Sequence, residues 1–349
     1  MSIVFDINNV VRDSVKMLKP YSSARDEYVS DGSEMIFLDA NENPYDNGVN
    51  RYPDPYQRSL KSVLAEQKEV SETNMLLGNG SDEVLDLIFR AFCEPNQDNI
   101  ITLPPTYGMY KVLSGINAVE NREVLLTVDF EPDVPAILDA VDKNTKLIFI
   151  CSPNNPTGNA FQKEAIQKLL ESFHGLVVID EAYIDFAKQE SWLARLKEFP
   201  NLIVTQTLSK AYGMAGIRLG ICYASKEIIA VLNKIKPPYN VNQLTQQRAL
   251  ERVMDPNIVE VEVQQILRER DRLVQALQNL SFVENIYPTD ANFVLVKVDN
   301  ANKRYQQLLE KQVVVRNRSN QPLCEDTLRF TVGTPEENNT LIAILKQLD

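Results

Sequence analysis

One lysine stands directly beyond a continuously apolar run, in the segment Thr207-Leu208-Ser209-Lys210-Ala211-Tyr212-Gly213-Met214-Ala215-Gly216-Ile217-Arg218. Thr207 and Ser209 bring hydroxyls, Gly213 and Gly216 allow close backbone approach, and Arg218 is a forked cation suited to phosphate. A solvated loop lysine needs none of these neighbours. An amine held among phosphate-binding groups at a strand's carboxyl end fits a Schiff-base lysine for pyridoxal phosphate.

That chemistry requires a carboxylate for the pyridine nitrogen. Leu176-Val177-Val178-Ile179-Asp180 ends in one, followed by Glu181-Ala182-Tyr183. Aspartates at such turns often cap helices. If the two apolar runs are neighbouring strands, Asp180 and Lys210 instead enter one crevice at the strands' carboxyl ends, where open α/β sheets bind ligands. Tyr183 then comes within reach of the cofactor's phenolic oxygen. A third run, Leu147–Cys151, leads into Ser152-Pro153-Asn154-Asn155-Pro156-Thr157-Gly158, a turn by composition. On the same sheet edge, its Asn155 amide reaches the same oxygen. Leu77-Gly78-Asn79-Gly80-Ser81-Asp82-Glu83 opens a helical run, and such a glycine-rich helix start is an anion site. Gly80, Ser81, Asp82, Ser209 and Arg218 together make a phosphate cup. Taken alone, Gly78–Glu83 half-matches a dinucleotide fingerprint, but Glu83 replaces the last glycine and no clear strand precedes it.

These loops need a frame. Candidate strands are Asn99–Leu103, Glu123–Val128, Leu147–Cys151, Leu176–Asp180, Leu202–Gln206 and Leu219–Tyr223. Their unbroken apolar runs suit parallel strands covered on both faces, and helical spacings such as Ile166, Leu169, Leu170 and Phe173 fall between them. The pattern predicts an α/β architecture, a mostly parallel sheet sandwiched by helices. It changes near residue 255. Asp255-Pro256 opens a long helix over Asn257–Leu280, followed by strands at Asn292–Val298, Val313–Arg316 and Thr327–Val332. A closing helix starts with a capping box at Thr334-Pro335-Glu336-Glu337. The division expected is an N-terminal arm over 1–30, a large domain over 31–254 and a smaller α+β domain over 255–349.

The chain has 349 residues and a net charge of −12, which disfavours nucleic acid and anionic membrane as partners. Cys93, Cys151, Cys222 and Cys324 are widely spaced and read as reduced thiols, so a cytoplasmic location is expected. No apolar stretch reaches the ~20 residues of a membrane helix. The single histidine, His174, lies in a connecting loop, which leaves multi-histidine metal sites and histidine-based triads without support.

At these residues the chain resembles the fold-type I pyridoxal-phosphate aminotransferases, and within them the branch acting on histidinol phosphate in histidine biosynthesis. The likeness runs from Leu18-Lys19-Pro20-Tyr21 to the last helix. It is carried by Asp39-Ala40-Asn41-Glu42-Asn43-Pro44, Arg51-Tyr52-Pro53-Asp54, Pro104–Tyr110, Asn154–Gly158, Asp180–Tyr183, Ser209–Arg218 and Leu328-Arg329-Phe330-Thr331-Val332-Gly333. The resemblance implies that Lys210 is the covalent anchor and proton carrier, and that Asp180 keeps the pyridine nitrogen protonated. It implies further that Tyr107 stacks on the ring, while Asn155 and Tyr183 hold its oxygen. It also implies a homodimer in which Tyr52 reaches the cofactor phosphate of the neighbouring subunit, with Tyr21, Asn155, Arg316 and Arg329 meeting a phosphorylated amino alcohol. Glutamate/2-oxoglutarate is the implied second substrate pair. Competing readings are an aromatic or broad-range aminotransferase, a threonine-phosphate decarboxylase of the same fold, a nicotinamide oxidoreductase using Gly78–Glu83, and a non-catalytic binding protein.

Overall fold

The computed structural model describes residues 5–19 and 36–349, built around two sheets. The larger sheet contains β1 (Met75–Asn79), β2 (Asn99–Thr102), β3 (Glu120–Glu123), β4 (Thr145–Cys151), β5 (Leu176–Asp180), β6 (Leu202–Thr207) and β7 (Leu219–Ala224). Their spatial order is β1-β7-β6-β5-β4-β2-β3. Strands β2 to β6 run parallel, whereas β7 is antiparallel to both β6 and β1. Two reversals make β1 parallel to β6 again.

Alternation along each strand feeds two separate cores. Ile148, Ile150, Val177, Ile179 and Val204 pack on one face, and Leu147, Phe149, Leu176, Val178 and Ile203 on the other. Burial on both faces is why these strands read as unbroken apolar runs.

Two strands of this sheet differ from the sequence reading. A strand, β1, does precede the glycine-rich segment; Met75, Leu76 and Leu77 are fully buried, and Gly78 interrupts the apolar signal. The third strand occupies Glu120–Glu123, not Glu123–Val128. It is the outermost strand and partly exposed, so charged residues suit it and no apolar run marks it.

The smaller sheet holds β8 (Val283–Ile286), β9 (Phe293–Val298), β10 (Arg316–Asn317) and β11 (Thr327–Thr331), antiparallel in the order β10-β11-β9-β8. The sequence reading contains no counterpart of β8. β10 begins where the expected strand Val313–Arg316 ends, because the Val313 N–H still bonds Leu308 O at the exit of the preceding helix, 2.9 Å away. Three helices matter for the site: α1 (Ser81–Phe92), α2 (Pro256–Leu277) and α3 (Pro335–Gln347). α2 starts under the Asp255 cap with Pro256 in its first turn, and α3 has the expected Thr334–Glu337 capping box. Val259 and Val263 of α2 pack with Tyr183, Ala211 and Phe293, whereas Leu273 and Leu277 enter the core of the smaller sheet. One helix therefore ties that core to the loops that carry Tyr183 and Lys210.

Candidate active site

Strand direction collects the chemistry. Asn155, Asp180 and Lys210 stand at or just past the carboxyl ends of β4, β5 and β6. β1 ends on the same edge, delivering Gly80, Ser81 and Asp82, and β7 starts there, after Arg218. Asp180 lies opposite Thr205 of β6, so the two central strands are neighbours. Ser81, Asp82, Tyr107, Asn155, Asp180, Tyr183, Ser209, Lys210 and Arg218 line one cleft. Gly80 stands at its rim. Tyr52 is not among the lining residues; it stacks on Tyr239 with ring centroids 4.4 Å apart and is half exposed. Tyr21 lies outside the described residues.

One end of the cleft is built to take an anion. Gly80 has φ +81°, and a Cβ there would come within 2.8 Å of Arg218 Nη2. Its N–H donates to Arg218 O at 2.9 Å, which stitches the two halves of the cup together. Gly80 offers no side chain to cap α1, so the first-turn amides face outward with the positive end of the helix dipole. Arg218 itself has φ +55°, a conformation that non-glycine residues adopt at a cost and that clusters at functional sites. Its guanidinium makes two long contacts, each 3.4 Å, to Asp82 Oδ2 and to the Ala215 carbonyl oxygen. The Ser209 N–H donates to Thr207 Oγ1 at 3.1 Å, which fixes the turn that carries Lys210.

Asp180 is buried on the opposite side. Tyr110 Oη donates to its Oδ2 at 2.9 Å and the Ala182 N–H to its Oδ1 at 3.2 Å. Burial pushes the carboxyl up to about 6, and the Tyr110 bond holds it back from going higher. Tyr110 stacks on Phe149, which stacks on Phe89, so the donor is set by a column of rings. Glu181 is buried too; it accepts from the Trp192 N–H at 2.7 Å and from Gln206 at 2.9 Å, locking the loop after Asp180. The roles of Tyr110 and Glu181 are absent from the sequence reading, although both lie inside the quoted motifs. Only their burial beside Asp180 distinguishes them.

Lys210 opens onto the cleft, with Nζ 5.6 Å from the centre of the Tyr183 ring. Partial enclosure lowers the pKa of its amine, the nearby Arg329 charge lowers it further, and Asp180 opposes both. Burial raises the pKa of the Tyr183 phenol, so its oxygen is held as a donor, and the ring packs edge-on to Phe293 at 5.2 Å. Tyr107 Oη donates to Asp82 at 3.0 Å.

The smaller sheet reaches the cleft through Arg329, whose Nη1 donates to the side-chain oxygen of Asn155. Burial brings the Arg329 guanidinium down to about 10, and the Arg318 charge adds to the effect. Arg316 is its direct cross-strand partner and is exposed.

The donor set fits pyridoxal phosphate. An amine faces the cleft, a buried carboxylate stands ready for a ring nitrogen, Asn155 and Tyr183 supply polar groups between them, and the Gly80 cradle with Arg218 awaits a phosphate.

Residues 34–345 match the family aminotransferase class I and II. The histidinol-phosphate aminotransferase of Flavobacterium johnsoniae is 66% identical over 99% of both chains. Among solved structures, the histidinol-phosphate aminotransferase of Clostridium acetobutylicum is 26% identical with a TM-score of 0.80, covering 86% of this chain and 91% of that one. The histidinol-phosphate aminotransferase of Sinorhizobium meliloti, in complex with pyridoxal-5'-phosphate, shares the fold at a TM-score of 0.77 and 23% identity, over 86% of this chain and 84% of its own.

Proposed function

The chain belongs to the aminotransferase class I and II family, and from that premise we propose that it is a histidinol-phosphate aminotransferase of histidine biosynthesis. It exchanges an amino group between histidinol phosphate and 2-oxoglutarate, alternately binding one and then the other. One observation carries the reading: the half-buried guanidinium of Arg329 donates to Asn155, which lines the same cleft as Lys210, so a cation stands where it can hold an anionic group near the amine.

Pyridoxal phosphate, when bound, supplies the electron sink that stabilises negative charge developing at the substrate's Cα. The residues do the rest. Gly80, Ser81, Asp82, Ser209 and Arg218 hold its phosphate, while Asn155 and Tyr183 donate to its phenolic oxygen. Tyr107 covers the ring. The ionised Asp180 accepts a hydrogen bond from a protonated ring nitrogen and keeps the proton there. Lys210 Nζ, the covalent anchor, accepts the proton from substrate Cα once freed; its lowered pKa leaves more of the uncharged amine near neutral pH than an exposed lysine would have. Asn155, Arg316 and Arg329, with Tyr21, bind the substrate's anionic end.

The working unit in this reading is a homodimer, with Tyr52 serving the neighbouring subunit's cofactor phosphate. Support comes from Tyr52 standing apart from its own chain's cleft, and from Ile36, Leu38, Tyr45 and Val49 all being exposed on the same stretch. The division into a large domain over 31–254 and a small one over 255–349 follows the two sheets. A cytoplasmic location agrees with four free, buried cysteines.

The test is turnover with histidinol phosphate and 2-oxoglutarate against histidinol, the same amine without phosphate. Strong preference for the phosphate ester is expected. Equal use of both, or preference for phenylalanine or threonine phosphate, would move the assignment to an aromatic aminotransferase or a decarboxylase.

A further inference from the structure

The hairpin that carries Arg329 holds a third arginine. Arg316 lies opposite Arg329 in the β10–β11 ladder, and the Arg318 N–H extends the pairing by donating to Thr327 O at 2.9 Å. A strand's side chains alternate with period two, so Arg316 and Arg318 share a face, and Arg329, opposite Arg316, shares it too. That face is the one from which Arg329 reaches Asn155. Like charges facing one another across a ladder repel. Yet among the described residues no carboxylate lies within ion-pair distance of any of the three. The Nε atoms of Arg318 and Arg329 are both buried without a hydrogen-bond partner. Burial lowers the pKa of both Arg318 and Arg329, and the charges within the group add to it: Arg316 acts on Arg318, Arg318 acts on Arg329, and both Arg318 and Arg329 act on Tyr183 in the cleft wall.

Two buried donors without acceptors, inside a cluster of uncompensated cations, describe a site for an anion with several acceptor oxygens. A carboxylate offers two oxygens and one charge. A phosphate monoester offers three terminal oxygens and close to two charges, which can engage three forks. We propose that Arg318 is a third guanidinium of the substrate's anion site, and that it sets the preference for a phosphate over a carboxylate. The choice of phosphate donor rests on the function proposed above; the preference for a phosphate itself does not.

The experiment uses the cofactor-loaded enzyme with Arg318→Gln and Arg318→Lys. Each half-reaction, with histidinol phosphate or with glutamate, is followed by cofactor absorbance. In Arg318→Gln the ratio of kcat/KM for histidinol phosphate to that for glutamate is expected to fall about tenfold, mostly through KM, with partial recovery in Arg318→Lys. A ratio within threefold of the unaltered enzyme would overturn the proposal. A second arm measures inorganic phosphate and acetate as inhibitors of the glutamate half-reaction, which needs no histidinol phosphate. The inhibition constant for phosphate is expected to rise at least about fivefold relative to that for acetate in Arg318→Gln. Equal changes for both anions would overturn the proposal, even if histidinol phosphate proves to be the true donor.

Discussion

The Tyr110 hydroxyl donates to Asp180 Oδ2 at 2.9 Å, deep beneath the cleft floor. This bond holds a carboxylate in a place where burial favours the neutral acid. Tyr110→Phe keeps the ring column and leaves Asp180 Oδ2 short of a donor. A loss of roughly 1–3 kcal/mol in unfolding free energy is expected at pH 8, with weaker retention of pyridoxal phosphate. Urea denaturation and cofactor release measure the two effects; unchanged values for both would show that the bond positions nothing.

The raised pKa of Asp180 sets a pH dependence in the cofactor-free protein. From about pH 4 to about pH 6 the unfolded chain has given up this proton while the folded chain still holds it. Stability from this group therefore falls as pH rises through that window, and the loss is complete above it. Asp180→Asn removes the effect. The variant's stability relative to the unaltered protein should grow by about 1.5 kcal/mol between pH 5 and pH 8. A difference that stays constant with pH would contradict the burial argument.

Gly220 lies where β7 meets the start of α1, and a Cβ there would fall 2.2 Å from the Ser81 nitrogen and 2.4 Å from the Gly80 carbonyl carbon. Both obstacles are backbone, so the helix start must move. Gly220→Ala should weaken cofactor affinity at least about tenfold through the displaced phosphate cup, measured by titrating the cofactor-free protein. Native affinity would show that the cup tolerates the shift.

Tyr52 tests the dimer. Sedimentation should give twice the 39.6 kDa chain mass, and Tyr52→Ala should loosen pyridoxal phosphate although Tyr52 does not line its own chain's cleft. A fully active monomer would end the proposal of a shared site.

Much of this arrangement is legible in the sequence because parallel strands leave two marks: unbroken apolar runs and functional loops immediately after them. Leu176–Asp180 is read to the residue, and the neighbouring strand delivers Lys210 to the same edge. What the sequence conceals has physical causes. Edge strand β3 is charged because one side faces solvent, and the apolar run of β1 is cut short by Gly78 within the strand. Tyr110 looks like any helix aromatic until its hydroxyl is seen against Asp180. Arg318 looks like a solvated charge until the ladder register sets it beside Arg316 and Arg329.

The central claim is that Lys210 holds pyridoxal phosphate in the cleft that Asp180 closes. The most direct measurement is borohydride reduction of the coloured enzyme, followed by digestion and mass spectrometry. The account predicts the pyridoxyl group on the peptide containing Lys210, and its loss together with the colour in Lys210→Ala. Label on a different lysine, or a Lys210→Ala protein that stays coloured and active, would contradict it.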